Sequence, residues 1–421
     1  MFKVNETSYT ALEVEQWHKS LLSKLHSFDA VTSLAMCMDK PSLQLAYILF
    51  CKQFQISLLL LESGTPLETA KQKASQAGCD VLVYSDDEQW LNIEETDSAV
   101  QINSPSIASL MVYSSGTTGQ PKLIRRSYQE VDEEIDAYNS HLRTSAEEVP
   151  IMLVPVTHAF GLIGVLAALA RGVKPVIVSS KNPKYMLKII GSYEQHIVYG
   201  VPHLFQIFIQ MGGDNHCFHK IITAGSLLPS SLFQFLQAKT KKAIMQQYGN
   251  SELGCITLGN RITAPQDVGT PLTHLTVEIV TASNNEIIVR HHDDVIHTND
   301  SGYWDENGHL QLNGRIDDII LVGGKNVIPY EVEQVILRLD DVKEVVVYKT
   351  NHPVLGDKVK AKVVIHKGNR EQKKKQIQNW CLDLLPRYKV PAEIHIVEHI
   401  PRNKMGKISR KHLQELEMTK S

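Results

Sequence analysis

Short apolar runs alternate with segments of helical periodicity through the first part of the chain. Examples of such runs lie at residues 57–61, 80–84 and 220–223. Strands that alternate with helices favour layered α/β sheets, so this pattern predicts β/α layers. A helix is predicted from about residue 128, because Ser127 and Glu130 have the spacing of a capping box.

The pattern changes at about residue 268. Short strands separated by polar turns are predicted at residues 275–279 and 286–290, which indicates a β-rich subdomain. After residue 317 the pattern predicts a compact α+β unit. The predicted fold class is therefore α/β, with a large N-terminal domain of β/α layers and a β-rich subdomain at residues 1–316. A small α+β domain follows at residues 317–421.

Charge, cysteine content and hydropathy narrow the class of protein. The formal net charge is -3, so there is no general excess of positive charge for binding a nucleic acid. The 6 cysteines show no CxxC spacing, which favours a reducing compartment. The apolar run at residues 159–170 is shorter than the roughly 20 residues that span a bilayer, so we interpret it as a buried helix. Residues 1–6 lack the apolar segment of a signal peptide. We predict a cytoplasmic enzyme or binding protein with no membrane span.

A predicted apolar strand at residues 107–113 leads into a loop rich in Gly, Ser and Thr. Glycines let backbone N–H groups approach a phosphate, hydroxyls add donors, and Lys122 adds positive charge. The spacing differs from that of a P-loop, where four residues separate the glycines and a lysine follows directly. Here two residues separate Gly116 from Gly119 and two more precede Lys122. A P-loop kinase or ATPase, which would form ADP, is therefore disfavoured.

Residues 113–122 closely resemble the signature loop of the adenylate-forming enzymes. That superfamily includes acyl- and aryl-CoA synthetases, nonribosomal-peptide adenylation domains and luciferases. Segments similar to its other motifs follow in the same order at residues 224–226, 247–252, 298–302, 314–320, 322–333 and 401–410. The resemblance covers about residues 107–410, and the chain is identified as a member of this superfamily.

The resemblance implies roles for the matching residues. Lys407 would be the catalytic lysine, Glu252 would help to hold Mg²⁺, and Asp317 would be the hinge of a mobile C-terminal domain. Gly323 and Gly324 would line a tunnel for a pantetheine arm. The implied nucleotide-binding residues are Ser114, Ser115, Gly116, Thr117, Thr118, Gly119, Lys122, Gly225, Ser226, Tyr248, Gly249, Asn250, Ser251, Asp300 and Arg315.

The implied reaction has two steps. A carboxylate attacks the α-phosphorus of ATP and pyrophosphate leaves, and a thiol of coenzyme A or of a carrier-protein phosphopantetheine then displaces AMP. Both reactants of the first step are negatively charged, so catalysis requires positioning and charge neutralisation. A non-catalytic nucleotide-binding protein on the same fold is the alternative of another class. The presence of Lys407, Glu252 and Asp300 argues against it.

The resemblance places His158, Phe160, Gly161 and Ala224 in the acid pocket. Amino-acid-activating relatives have an aspartate near the position of His158, so a free amine would lack its counter-charge here. We therefore expect the substrate to be an aryl or fatty acid. His158 either acts at the acid site or is a core histidine whose hydrogen bonds are made within the protein. The alternative function is that of a stand-alone ligase that loads an aryl acid, such as a dihydroxybenzoate of siderophore biosynthesis, onto a carrier protein.

The segment before the signature loop, about 106 residues, is short for this superfamily. A reduced N-terminal subdomain leaves the acid pocket either more open or located at a dimer contact. The sequence does not distinguish these two arrangements.

Overall fold

The computed structural model describes residues 1–28, 31–85, 91–97, 107–114, 122–211, 218–352, 356–366, 368–402 and 408–418. The helices are α1 Ala11–Leu25, α2 Pro41–Gln53, α3 Leu67–Gln76, α4 Tyr128–His141, α5 Ala159–Ala170, α6 Pro183–Gly191, α7 Pro202–Gln210, α8 Ser230–Lys239, α9 Pro329–Ile336, α10 Arg370–Leu384 and α11 Arg410–Met418. The strands are β1 Phe2–Val4, β2 Thr7–Tyr9, β3 Ser33–Cys37, β4 Ser57–Leu60, β5 Val81–Ser85, β6 Leu91–Glu95, β7 Ser109–Ser114, β8 Lys122–Ser127, β9 Val149–Met152, β10 Val176–Ile177, β11 His196–Gly200, β12 Phe218–Thr223, β13 Thr240–Asn250, β14 Gly254–Gly259, β15 Thr270–Pro271, β16 Thr276–Val280, β17 Glu286–His291, β18 Asp294–Trp304, β19 Leu310–Arg315, β20 Ile320–Val322, β21 Lys325–Val327, β22 Val342–His352, β23 Gly356–Ile365 and β24 Glu393–Ile396.

Two mainly parallel sheets form the large α/β part. The nine-stranded sheet has the order β15-β14-β13-β12-β11-β9-β10-β1-β2, and the six-stranded sheet has the order β6-β5-β3-β4-β7-β8. In the larger sheet the strands from β13 to β1 run parallel, while β2, β14 and β15 pair antiparallel. All five residues of β11 are buried, as expected for a parallel strand covered on both faces. The predicted α/β layers are thus confirmed.

One hydrophobic core joins these sheets. It contains Leu58 of the smaller sheet, Tyr199 of the larger sheet, and Tyr138 and Val165 of the helices α4 and α5. Helix α5 has the predicted bounds, and the predicted capping box at α4 is formed in both directions. Strand β7 begins two residues later than predicted, because Ile107 is 73% exposed and lies outside the sheet.

The remaining sheets belong to the β-rich and C-terminal parts. Strands β16-β17-β18-β19 form an antiparallel sheet, and β21-β20-β23-β22 form a second one that β24 extends by pairing parallel with β23. A short 3-10 turn at Ile316–Asp318 connects the two sheets. None of the described helices combines the length and the apolar character needed to cross a membrane.

A buried ionic cluster fixes the start of β9 against β12. Glu148 is 4% exposed. Its carboxylate accepts hydrogen bonds from Lys220 at 2.8 Å, Thr144 at 2.9 Å and the Ser145 amide at 3.0 Å, and it lies 2.9 Å from His219 Nε2. Burial raises the pKa of Glu148, but these hydrogen bonds outweigh burial and hold the pKa at about 2.

Replacement of Glu148 by glutamine is expected to lower the free energy of unfolding at neutral pH by about 2–3 kcal/mol. An unfolded chain takes up this proton near pH 4.5, so the stabilisation is complete above that pH and is lost as the pH falls toward 2. Urea unfolding at several pH values would measure this. The matched control is Glu278→Gln, which removes an exposed ion pair with Arg290. Equal effects of the two replacements would contradict the prediction.

Candidate active site

A cavity of about 1110 Å³ lies where the parallel strands of the large part face the C-terminal unit. Its walls include His158 after β9, His203 after β11, Ser226 after β12 and Asn250 at the end of β13. All of these follow the carboxyl ends of parallel strands, the edge at which open α/β sheets bind ligands. Residues far apart in sequence therefore meet here because of the sheet order.

A tyrosine, an aspartate and an arginine form one wall. Tyr248 donates a hydrogen bond of 2.7 Å to Asp300 Oδ2, and Arg315 lies 3.3 Å from Asp300 Oδ1. Asp300 and Arg315 are directly paired across β18 and β19, which explains their contact. Burial raises the pKa of Tyr248 well above its usual range, and the charge of Asp300 raises it further. The tyrosine is therefore a neutral donor.

A second charged pair lies at the end of β13. Asn250 Oδ1 accepts hydrogen bonds from the amides of Glu252 and Leu253 at 3.0 and 2.8 Å, which fixes the turn that presents Glu252. The Glu252 carboxylate lies 2.8 Å from Lys122 Nζ, at the first residue of β8. An ammonium and a carboxylate thus stand side by side at the edge of the cavity.

A buried ion pair that sequence reasoning missed forms part of the wall near α4. Arg126 and Glu134 lie 2.8 Å apart with side chains 9% and 3% exposed, and both line the cavity. Glu134 also accepts a hydrogen bond of 2.7 Å from the Cys255 amide. A signal was present, because Glu134 falls on the same helical face as the apolar residues Val131 and Tyr138.

Glycines permit the close approach of β13, β14 and α4 behind this wall. A Cβ on Gly249 would lie 2.0 Å from the carbonyl oxygen of Gly254. Gly254 itself has a φ of +76°, and a Cβ there would lie 2.3 Å from the Glu134 carboxylate. Larger residues at these positions would separate the end of β13 from the buried ion pair.

Two residues of the cavity wall carry buried side-chain oxygens that have no hydrogen-bond partner among the described residues. These residues are Gln246 and Gln247, which are 3% and 5% exposed. The Gln246 amide nitrogen is bound to the carbonyls of Pro265 and Asp267, which orients that side chain. Gln246 and Gln247 are adjacent in β13, so their side chains point to opposite faces of the sheet.

The C-terminal unit closes the cavity with an ionic cluster around Arg410. Arg410 lies 2.8 Å from Asp318 and 2.7 Å from Glu333, and its Nε donates to the Val347 carbonyl at 2.9 Å. These three charged residues line the cavity together with Ile408. The start of α11 is thereby fixed to α9 and to the 3-10 turn.

The structure brings together most of the described residues that the sequence places at the nucleotide. The cavity lining includes Lys122, Gly225, Ser226, Tyr248, Gly249, Asn250, Ser251, Glu252, Asp300 and Arg315, as well as His158 of the acid pocket. Within the described chain, the lining does not include Phe160, Gly161 or Ala224. Gly161 instead packs closely, since a Cβ there would lie 2.2 Å from the Pro155 oxygen.

The predicted hinge and tunnel residues lie at the surface. Asp317 is exposed within the 3-10 turn, 3.5 Å from Arg315. Gly323 and Gly324 form the exposed turn between β20 and β21, with φ values of +54° and +80° and no atom within 4 Å of an added Cβ. In this conformation their backbone angles, rather than close packing, require glycine.

Several predicted residues lie outside the described part of the chain. These are Ser115, Gly116, Thr117, Thr118, Gly119 and Lys407. Ser114 is described by its backbone alone, as the last residue of β7. Their proposed roles remain predictions.

The layered α/β fold and the cavity beneath a small α+β unit define an enzyme of the adenylate-forming class. Residues 41–293 match the AMP-binding enzyme family, and residues 331–407 match the AMP-binding enzyme C-terminal domain. The chain belongs to the AMP-binding enzyme family, which confirms the resemblance found in its sequence.

Similar proteins are ligases. The chain is 44% identical over 388 residues, 91% of each chain, to a 3,4-dihydroxybenzoate–[aryl-carrier protein] ligase of Bacillus anthracis. It is 25% identical to a long-chain-fatty-acid–CoA ligase of Bacillus subtilis, over 73% of this chain and 62% of the relative. Among solved structures, the o-succinylbenzoate-CoA synthetase of Bacillus subtilis in complex with its acyl-adenylate has a TM-score of 0.82 at 19% identity, covering 98% of this chain and 94% of the other. At 19% identity, this last similarity shows that the two proteins share a fold.

Proposed function

We propose that this protein activates an aryl carboxylic acid of the dihydroxybenzoate type with ATP and transfers it to the phosphopantetheine thiol of a carrier protein. The observation that carries this proposal is the 44% identity to an aryl-carrier-protein ligase across 91% of both chains. The cavity at the carboxyl ends of the strands supplies groups suited to this chemistry.

The wall of Tyr248, Asp300 and Arg315 would hold the nucleoside. The ring of Tyr248 would stack on adenine. Asp300, which contacts Tyr248 and Arg315, would accept hydrogen bonds from the ribose hydroxyls. Gly225 and Ser226 line the same cavity and would contact the adenine and acyl groups. Arg315 would add positive charge near the ribose or phosphate.

The phosphates would lie beside the Lys122–Glu252 ion pair. The loop at residues 114–122 would bind the β- and γ-phosphates, and the Lys122 ammonium would partly neutralise them. Glu252 fits a role in holding Mg²⁺, because a partly exposed carboxylate is the oxygen ligand that this ion prefers. Magnesium, when bound, would neutralise charge on the phosphate oxygens. Lys407 would bridge the attacking carboxylate and the α-phosphate.

The acid would enter near His158, Gln246 and Gln247. These three residues line the cavity. Glu134, the buried carboxylate in the α4 wall, is already neutralised by Arg126, so it supplies no counter-charge for an amino group. This supports an acid without an ammonium group over an amino acid.

In the second step the thiol sulfur would attack the acyl carbonyl, and AMP would leave. The C-terminal domain would rotate about Asp317 between the steps, which would carry Lys407 away and bring Gly323 and Gly324 to the thiol path. Coenzyme A is the second candidate acceptor, because it carries the same pantetheine arm. A reducing cytoplasm suits the buried free thiols Cys37, Cys51, Cys79, Cys255 and Cys381.

Pyrophosphate exchange with a panel of acids tests the proposal. We expect 3,4-dihydroxybenzoate, the acid named for the 44% identical relative, to support the fastest exchange, benzoate to be weaker, and amino acids to be inactive. Transfer to a carrier protein and to coenzyme A would then be compared under equal conditions. Formation of ADP, or no AMP with any acid, would contradict the adenylation reaction. Preference for a long-chain fatty acid would contradict only the proposed substrate.

A further inference from the structure

Two consecutive histidines and a glutamate converge outside the cavity. His291 ends β17, His292 follows in the turn to β18, and Glu133 projects from α4. Glu133 Oε2 lies 3.2 Å from His291 Nε2 and 2.9 Å from His292 Nε2. One ligand atom from each of the three residues lies within 4.8 Å of the others.

The turn explains how neighbouring histidines reach one carboxylate. Successive side chains of an extended strand point to opposite faces. His292 has a left-handed φ of 51°, and the two imidazole centroids lie only 4.2 Å apart. A non-glycine residue in this conformation is strained. The chain thus adopts an unfavourable backbone angle at a residue that shares its carboxylate partner with His291.

The surroundings supply the support that a metal ligand needs. His291 is 6% exposed, and its Nδ1 lies 3.9 Å from Glu130 Oε1. Glu130 is itself fixed, because its other oxygen accepts a hydrogen bond of 2.7 Å from the Ser127 hydroxyl. Metal-binding histidines usually donate a hydrogen bond from the second ring nitrogen to a carboxylate. At 3.9 Å Glu130 lies on the correct side of the ring but beyond hydrogen-bond distance. His274 packs edge-on against His291 with centroids 5.4 Å apart.

The geometry points to a divalent-cation site of the zinc type, with His291 Nε2, His292 Nε2 and the Glu133 carboxylate as ligands. Zinc takes nitrogen and oxygen ligands at about 2.0–2.2 Å, which places the ligand atoms of a tetrahedral site roughly 3.3 Å apart. The observed separations of 2.9 and 3.2 Å from the carboxylate approach this spacing. The His292 side chain is 61% exposed, which leaves access for the ion and a fourth position for water.

Such a site would join α4 to the turn between β17 and β18. It takes no part in acid activation, because the three ligands are not among the described residues that line the cavity. Its role would be structural. The ion would hold α4 in place, and α4 also carries Glu134 of the cavity wall. The ion would bind the folded chain in preference to the unfolded one and stabilise it.

Titration of the chelator-treated, full-length protein with Zn²⁺ alone tests the site. We expect one equivalent to bind in competition with a chromogenic chelator and the melting temperature to rise. His292→Ala and Glu133→Gln should weaken binding by about tenfold or more. The matched control is His26→Ala, which removes an exposed histidine at the end of α1 and should change neither result.

Two outcomes would overturn the site. One is the lack of stoichiometric Zn²⁺ binding, which would leave only histidine–carboxylate hydrogen bonds between α4 and the turn. The other is equal binding by the His26→Ala and His292→Ala variants. Because His292 is largely exposed, its variant is expected to fold, and circular dichroism would verify this. Pyrophosphate exchange measured on the same samples keeps this result separate from the proposed function.

Discussion

Replacement of Lys407 by alanine is expected to slow pyrophosphate exchange by about 10²–10³-fold, the usual effect of losing one preorganised electrostatic stabiliser. The neighbouring Ile408 lines the cavity, and Arg410 fixes the following helix to Asp318 and Glu333. Transfer from preformed aryl-AMP to the thiol should continue, because the proposed rotation moves this lysine away before the second step.

The matched control is Lys404→Ala, which removes the same charge three residues earlier. It should retain most of the exchange activity. Unchanged exchange in the Lys407→Ala variant would exclude Lys407 from the adenylation step. Loss of both half-reactions would indicate instead that this lysine supports the fold or acts in both conformations.

Replacement of Arg126 by methionine is expected to lower the free energy of unfolding by about 3–5 kcal/mol, because it leaves the Glu134 carboxylate buried without its counter-ion. Glu134 is 2% exposed and keeps only the Cys255 amide as a described hydrogen-bond donor. Urea unfolding of the variant and of the parent protein would measure the difference.

Two further variants separate the effect of the unpaired Glu134 charge from the effect of altered side-chain packing. Combining Arg126→Met with Glu134→Gln removes the buried charge, so the double variant should be more stable than Arg126→Met alone. Arg290→Met removes an exposed partner of Glu278 and should lower the free energy of unfolding far less, because water screens that pair. Similar losses for Arg126→Met and Arg290→Met would contradict the importance of burial.

Much of the fold could be predicted from local pattern. The apolar run at residues 159–170 became α5 with the same bounds, and the Ser127 and Glu130 spacing became a complete capping box. Such features depend on neighbouring residues, and their physics is contained in a short window of sequence. Motif order was equally informative, since it identified Tyr248, Asp300 and Arg315 before their contacts were known.

Other features depend on contacts between distant segments. Nothing near Glu134 in the sequence indicates that Arg126 and the Cys255 amide will bind its carboxylate, because β8, α4 and β14 meet only in the folded chain. The convergence of Glu133 with His291 and His292 could not be predicted either, because α4 and the end of β17 are far apart in the sequence. A charged residue on an otherwise apolar helix face indicates a buried ion pair, but the sequence does not show which residue is its partner.

The pairing of β1 has a consequence for synthesis of the chain. Lys3 is in register with Val176 of β10, so the first strand leaves the ribosome together with β2 but long before its parallel partner β10 exists. At about 5–20 residues per second, it would wait roughly 10–30 s. During that interval Phe2 and Val4, which are buried in the finished sheet, are exposed to chaperones and to other nascent chains.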